Sequence, residues 1–263
     1  MSPYEKSALN EKVYSRRCRW QDFFDSERHF FEAMHETEIS SCLDIGGATG
    51  GFGAAWRQKY ETDFDYSCID VDANCISSGK KQNPSFKFVH DHFPSAQLDG
   101  KSYDLVIMLS LFCQFKNWKN TLRAMFELSH RFVNFSCVLR TDGTTVDDDE
   151  ISYFYCLDTE ERMPQVIHNL YEIRNYLCLK ELGAKSVRFF GYHTPSTGTN
   201  YRCVPNSGQI KGNFMIEKYQ PEELEQVRYF GGQEIHDFLK VGHAFTSPHE
   251  IEFIIDGKQF DHR

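Results

Sequence analysis

What the chain lacks narrows it first. None of its nine cysteines (at 18, 42, 68, 75, 113, 137, 156, 178 and 203) forms a Cys-x-x-Cys pair, and the count is odd. That leaves neither the usual spacing of a structural zinc site nor a disulfide framework. Several of these cysteines sit inside apolar runs, where Cys behaves as a small hydrophobe, so a reducing cytoplasm is the expected setting. Met1 to Asn10 has no apolar run of the signal-peptide kind, and no stretch reaches membrane-spanning length. There is no internal repeat and no low-complexity segment. Positive charge is also short: 29 Lys and Arg against 38 Asp and Glu give a formal net charge of -9. Such a balance repels a polyphosphate, and only Arg16, Arg17 and Arg19 form a basic patch, so no nucleic-acid partner is expected.

What is present fits one α/β domain with a modest appendage. The chain has 263 residues, 40% hydrophobic and 25% charged, and its 23 Phe supply an aromatic core or an aromatic-lined pocket. Residues 4 to 37 carry Val13, Trp20, Phe23, Phe24, Phe30, Phe31 and Met34 at partly helical spacing, which predicts one or two amphipathic helices. From Ser41 the pattern becomes short apolar runs separated by helical stretches. The runs begin at Cys42, Tyr66, Phe86, Tyr103, Phe132 and Ser186, and the helical stretches cover 51 to 60, 73 to 81, 117 to 130 and 160 to 182. Strands alternating with helices predict crossover units and a parallel sheet covered on both faces. A last run, Gly212 to Glu217, follows the previous strand through a polar loop with no helix, which favours an antiparallel final strand. Pro221 with Glu222, Glu223 and Glu225 suits a helix start, and Asp256-Gly257 is a hairpin turn signal. The expected division is a helical lid over 1–40, a main domain over 41–219 and an extension over 220–263.

The densest signal is Leu43-Asp44-Ile45-Gly46-Gly47-Ala48-Thr49-Gly50-Gly51, which follows an apolar run and opens a helical stretch. Glycines there allow a sharp turn and let a ligand lie against the main chain beside helix N-terminal amides. In an open parallel sheet, ligands bind in the crevice beyond the carboxyl ends of the strands. The segment resembles the first motif of class I S-adenosylmethionine-dependent methyltransferases, an acidic residue followed by a G-x-G-x-G loop. Asp44, Gly46 and Gly50 match, and Ala48 stands where the middle glycine usually is. Asp70, followed by Val71, resembles the carboxylate that holds both ribose hydroxyls, and a carboxylate accepts two hydrogen bonds. Asp91, followed by His92 and Phe93, resembles the side chain that receives the adenine amino group. Tyr103-Asp104-Leu105-Val106 resembles the fourth-strand motif, after which Leu109, Ser110 and Leu111 would face the cofactor.

This resemblance covers about residues 41 to 140. It implies S-adenosylmethionine as cofactor, held by Asp44, Gly46, Gly47, Ala48, Gly50, Asp70, Val71, Asp91, His92, Leu109 and Ser110. It also implies a doubly wound, mostly parallel seven-stranded α/β sheet with an antiparallel last strand. Each feature alone has a plainer reading: Gly46 to Gly51 as a tight turn, Asp70 or Asp91 as a helix N-cap. Four features in order are what favour the family. A nicotinamide dinucleotide site is the nearest rival, because Asp70 also suits a ribose diol. Against it, Asp44 is poorly suited beside a pyrophosphate and well suited near an ammonium.

Transfer of a methyl group to a hydroxyl calls for a base that removes the proton, usually a neutral His or a carboxylate. His193 ends the sixth strand beside the polar loop Thr194 to Gln209 and is the first candidate. His168, read on one helix face with Tyr171 and Asn175, is the second. For each, a satisfied, partly buried histidine is the competing reading. Asp147-Asp148-Asp149-Glu150 invites a metal, yet Ser110 stands where metal-dependent catechol-type relatives carry an acid, and no Asp-Asn pair follows Leu139. A solvated acidic loop and no metal are expected. The expected function is methylation of a small polar or carbohydrate-type acceptor at oxygen. Natural-product, phosphate-oxygen or protein acceptors stay open, as do a nicotinamide oxidoreductase and a non-catalytic binding protein.

Overall fold

The computed structural model describes residues 17–94, 98, 100–156, 162–179, 182–194, 201–204, 209–220, 222–223, 250–255 and 258–259. Its first regular helix, α1 (Asp25–His35), turns Phe30, Phe31 and Met34 inward. Next come β1 (Ser41–Ile45), α2 (Gly51–Tyr60), β2 (Asp65–Asp70), α3 (Ala73–Gln82), β3 (Lys87–His90) and β4 (Tyr103–Met108). The middle of the chain continues with α4 (Trp118–Leu128), β5 (Ser129–Arg140), β6 (Tyr153–Cys156), β7 (Arg162–Pro164), β8 (Ile167–Asn169) and α5 (Leu170–Leu177). It closes with β9 (Ala184–Thr194), β10 (Tyr201–Val204), β11 (Gln209–Lys218), β12 (Glu250–Ile255) and β13 (Lys258–Gln259).

The helices follow from local signals. Asp72 caps α3, its Oδ1 accepting from the amides of Asn74 (2.8 Å) and Cys75 (3.2 Å). Asn169 caps α5 in the same way, accepting from Tyr171 (2.9 Å) and Glu172 (3.0 Å). In α4 the buried residues are Trp118, Thr121, Leu122, Met125 and Phe126, one helical stripe.

The main sheet runs β13-β12-β9-β11-β5-β4-β1-β2-β3, with β8 pairing β5 off that path. Strands β3, β2, β1, β4 and β5 pair in parallel. β11 is antiparallel to both β5 and β9, as the helix-free polar loop before it predicted. β9 therefore points the same way as β1, β4 and β5, and the carboxyl ends of all four share one edge. Helices α1 to α3 cover one face, where Phe30, Phe31, Phe52, Trp56, Tyr66 and Phe86 form an aromatic cluster. α4 and α5 cover the other, over Phe112, Phe135, Phe189, Phe214 and Phe253.

The strand count and the helix over 160 to 182 need correction. Among the described residues the main sheet has ten strands rather than seven, and β10-β6-β7 form a second, three-stranded sheet. One cause is the stretch read as a helix over 160 to 182, whose first half forms β7 and β8. Pro164 cannot continue a helix and restricts the residue before it, and Val166-Ile167 is β-branched. The other is the C-terminal stretch, where β12 joins the outer edge of the sheet parallel to β9 and β13 pairs antiparallel with β12; the turn signal expected at Asp256-Gly257 lies outside the described residues. The inner face of α1 packs against the sheet, with Phe30, Phe31 and Met34 only 0–1% exposed. The helix start expected at Pro221 lies almost wholly outside the described residues. Among the described residues no helix is long and apolar enough to cross a membrane.

Candidate active site

At the end of β1 the chain turns through Gly46 (φ 72°), Ala48 (φ 52°) and Gly50 (φ 80°), all left-handed. Ala48 thus takes a conformation that ordinarily favours glycine, at a cost of about 1–2 kcal/mol. Two neighbours hold it: Asp70 Oδ2 accepts its amide at 2.9 Å, and the Cys68 thiol donates to its carbonyl at 3.6 Å. Gly46 and Gly47 must lack side chains for steric reasons. A Cβ on Gly47 would lie 2.5 Å from the Asp44 carboxylate, and one on Gly46 would strike the Leu111 side chain.

The two carboxylates expected at this loop are both beside it. Asp44 is 3% exposed and accepts from the Tyr66 hydroxyl. Burial pushes its pKa up to about 7, against the opposing pull of the Tyr66 hydrogen bond and the Arg17 charge. Asp70 ends β2, and its other oxygen, Oδ1, accepts the Asp72 amide at 2.9 Å. Burial raises its pKa as well, while the backbone amides draw it down. Asp72, not Asp70, is the helix cap. Each Asp70 oxygen accepts one backbone amide and keeps a second lone pair for a ligand.

Around this core the remaining sequence candidates are spread along the same edge. The carbonyl of Val71 accepts from His90 Nε2 at 3.0 Å, and Asp91 Oδ1 accepts the amide of His92 at 2.7 Å. Leu109 and Ser110 follow β4, with Ser110 in the left-handed region (φ 58°) and its amide donating to Ser136 Oγ. Asp104, by contrast, sits at the opposite end of β4 and ties down the start of β1, accepting from the amides of Ser40 (2.7 Å) and Ser41 (3.0 Å).

Arg17 is the residue that sequence reasoning missed. Its guanidinium pairs with Glu27, which is 1% exposed on α1, and donates from Nη1 to Ser110 Oγ at 3.2 Å. The N-terminal segment is thereby pinned to the loop after β4. In the sequence Arg17 is one of three nearby arginines, and a contact across 93 positions leaves no local signal.

The acceptor-side candidates part company. His193 lies exposed near the end of β9, on the edge that carries the glycine loop. The helix face expected for His168, Tyr171 and Asn175 does not form, because His168 is on β8 ahead of the helix. Its ring is 0% exposed, stands 5.1 Å from Phe112 and 5.5 Å from Trp118, and among the described residues neither nitrogen has a partner. Burial lowers its pKa to about 3, which makes it a weak proton acceptor. In the acidic loop, Asp148 Oδ1 accepts the Glu150 amide (2.9 Å) and Asp149 pairs with Lys116 (2.8 Å). Among the described residues no group of three His, Cys, Asp or Glu is placed to hold a metal.

A glycine loop between a buried aspartate and a second carboxylate, on a sheet ordered this way, is the arrangement in which the chain is similar to the class I, Rossmann-like S-adenosylmethionine-dependent methyltransferases. Residues 43–130 match the family model described as a methyltransferase domain. Among solved structures, the magnesium protoporphyrin IX methyltransferase of Synechocystis with bound S-adenosylhomocysteine aligns at 14% identity and TM-score 0.50, covering 80% of this chain and 83% of that one. An S-adenosylmethionine-dependent methyltransferase of Clostridium acetobutylicum aligns at 11% and 0.50, covering 81% and 99%. The O-methyltransferase of a Brevibacillus brevis polyketide synthase multienzyme aligns at 11% and 0.52, covering 73% and 62%. At these identities the likeness is one of fold. Sequence search of curated proteins gives no match.

Proposed function

We propose that this chain transfers the methyl group of S-adenosylmethionine to a hydroxyl of a small polar or carbohydrate-type acceptor. The observation that carries the reading is the joint placement of Asp44, the Gly46–Gly50 turn and Asp70 on adjoining strand ends. The residues fit the cofactor: Asp44 suits its ammonium, Asp70 has lone pairs to spare for a diol, and Gly47 leaves no side chain between Asp44 and the loop. Asp91, His92, Leu109 and Ser110 would line the adenosine side. S-adenosylmethionine supplies an already activated methyl on a sulfonium. The protein's task is then to hold the acceptor in line, worth several kcal/mol of pre-paid ordering. His193, on the same edge, is the group that would take the acceptor's hydroxyl proton. The acidic net charge of -9 disfavours a polyanionic acceptor.

A nicotinamide cofactor fits less well, because the buried Asp44 carboxyl against Gly47 would face the pyrophosphate. Calorimetry separates the two. S-adenosylmethionine and S-adenosylhomocysteine should bind, and NADH should not; the reverse pattern would overturn the reading.

A further inference from the structure

The stretch 165–167 is fastened to the segment after β4 at one point and to the segment after β5 at two. The Val166 amide donates to the Cys113 carbonyl at 2.5 Å, and Ile167 exchanges backbone hydrogen bonds of 2.9 Å with Val146. The Gln165 amide donates to the Ser152 carbonyl at 3.3 Å, extending the antiparallel ladder of β6 and β7 by one pair. Residues directly opposite in such a ladder present their side chains on one face. Gln165 and Ser152 therefore stand side by side, and each is 1% exposed.

Among the described residues, Gln165 Nε2, Gln165 Oε1 and Ser152 Oγ have no hydrogen-bond partner. A buried polar atom left so costs about 1–3 kcal/mol, and three on two neighbouring side chains are not what a purely structural role selects. An apolar pair would pack there without that penalty. The groups offered are an amide and a hydroxyl: donors and acceptors with no formal charge, at a site where a buried ion would need an opposite charge.

We propose that Gln165 and Ser152 form the polar end of the acceptor pocket and select an uncharged, hydroxyl-bearing acceptor. The Gln165 amide would present a donor beside an acceptor, which matches a pair of neighbouring hydroxyls. The inference rests on the methyltransferase reading for the word acceptor, and on the buried pair for everything else. Gln165 and Ser152 are binding residues here, with no part in moving the proton.

The test has a ligand-free arm and a ligand arm. Gln165→Met replaces an unsatisfied amide by an apolar side chain of similar length, so the melting temperature of the unliganded protein should rise by about 2 °C or more. A fall would mean the amide is satisfied within the fold, and would overturn the proposal. In the second arm the protein is saturated with S-adenosylhomocysteine and its melting is followed with catechol, methyl glucoside, benzoate or benzylamine. A neutral probe should raise the melting temperature in the parent protein and lose that shift in Gln165→Met and Ser152→Ala. Shifts from the charged probes alone, no shift from either neutral probe, or a shift that survives in both variants would overturn it. Binding of S-adenosylhomocysteine is checked in parent and variants alike. If the parent protein fails to bind it, the cofactor reading falls, and the melting behaviour of Gln165→Met still judges the buried pair.

Discussion

Around the glycine loop the polar groups find their partners within the chain, whereas around Gln165 they do not. Asp44 is met by Tyr66, Asp70 by two backbone amides, and Ser110 by Ser136 and Arg17. Gln165, Ser152 and His168 are as deeply buried, yet among the described residues no polar atom of their side chains is paired. The first region is built to keep its shape before any ligand arrives, which lowers the ordering that binding must supply. In the second, the hydrogen-bonding capacity is left over. One half of the edge thus has its polar groups met within the chain, and the other keeps hydrogen-bonding capacity to spare.

That contrast predicts a division of labour between variants. The largest effect is expected on the acceptor side: His193→Ala should lower turnover by about 10²–10⁴-fold while S-adenosylhomocysteine affinity, read by calorimetry, stays nearly unchanged. Turnover near that of the parent would remove His193 as the base. On the cofactor side Asp70→Ala should weaken S-adenosylhomocysteine binding at least about tenfold, since hydrogen bonds to a charged group are worth about 1.5–3 kcal/mol each. Asp70 also holds the Ala48 and Asp72 amides, one on each oxygen, so Asp70→Asn is the milder variant, which removes the charge and keeps one of the two hydrogen bonds. Unchanged affinity in both would assign the ribose to another residue.

The smallest effect, and the sharpest one for the comparison, concerns pH. The Asp44 pKa stands at about 7 in the folded protein against 3.8 for an ordinary aspartate. A carboxyl raised in this way binds its proton more tightly when folded, so stability of the unliganded protein should fall as pH rises from about 4 to 7. A cation beside Asp44 needs the ionised form. Affinity for S-adenosylhomocysteine should therefore fall by up to about tenfold per unit as pH drops below 7, and level off above it. Asp44→Asn should flatten both trends. If the affinity slope survives that substitution, Asp44 is not the ammonium's partner.

The placement of the glycine loop and its two carboxylates was legible because its signals are local. Gly46, Gly50 and Asp70 sit at strand ends whose apolar runs are contiguous in sequence, and the helix boundaries at 51–60 and 73–82 follow from caps a few residues away. The acceptor half depends on contacts with no local trace. Nothing near Gln165 announces that it will face Ser152, because the pairing depends on strands that a helical periodicity over 160 to 182 concealed. His168 was misplaced for the same reason: the alternation that puts it on β8 spans only three residues. Arg17 needed the fold itself, since Glu27 and Ser110 come together only once α1 packs on the sheet.

The final pair of strands has a consequence for the molecule in company. β12 lies along the whole stretch Ser186–Gly191 of β9 and takes up that strand's outward backbone groups. Without it, β9 would end the sheet with a long open edge bearing Val187 and Phe189, a template onto which another copy's strand could add. With it, the sheet ends at β13, two exposed residues, Lys258 and Gln259, one of them charged. Trimming the chain at Tyr219 would therefore leave the glycine loop and Asp70 in place and open the β9 edge to pairing with another copy.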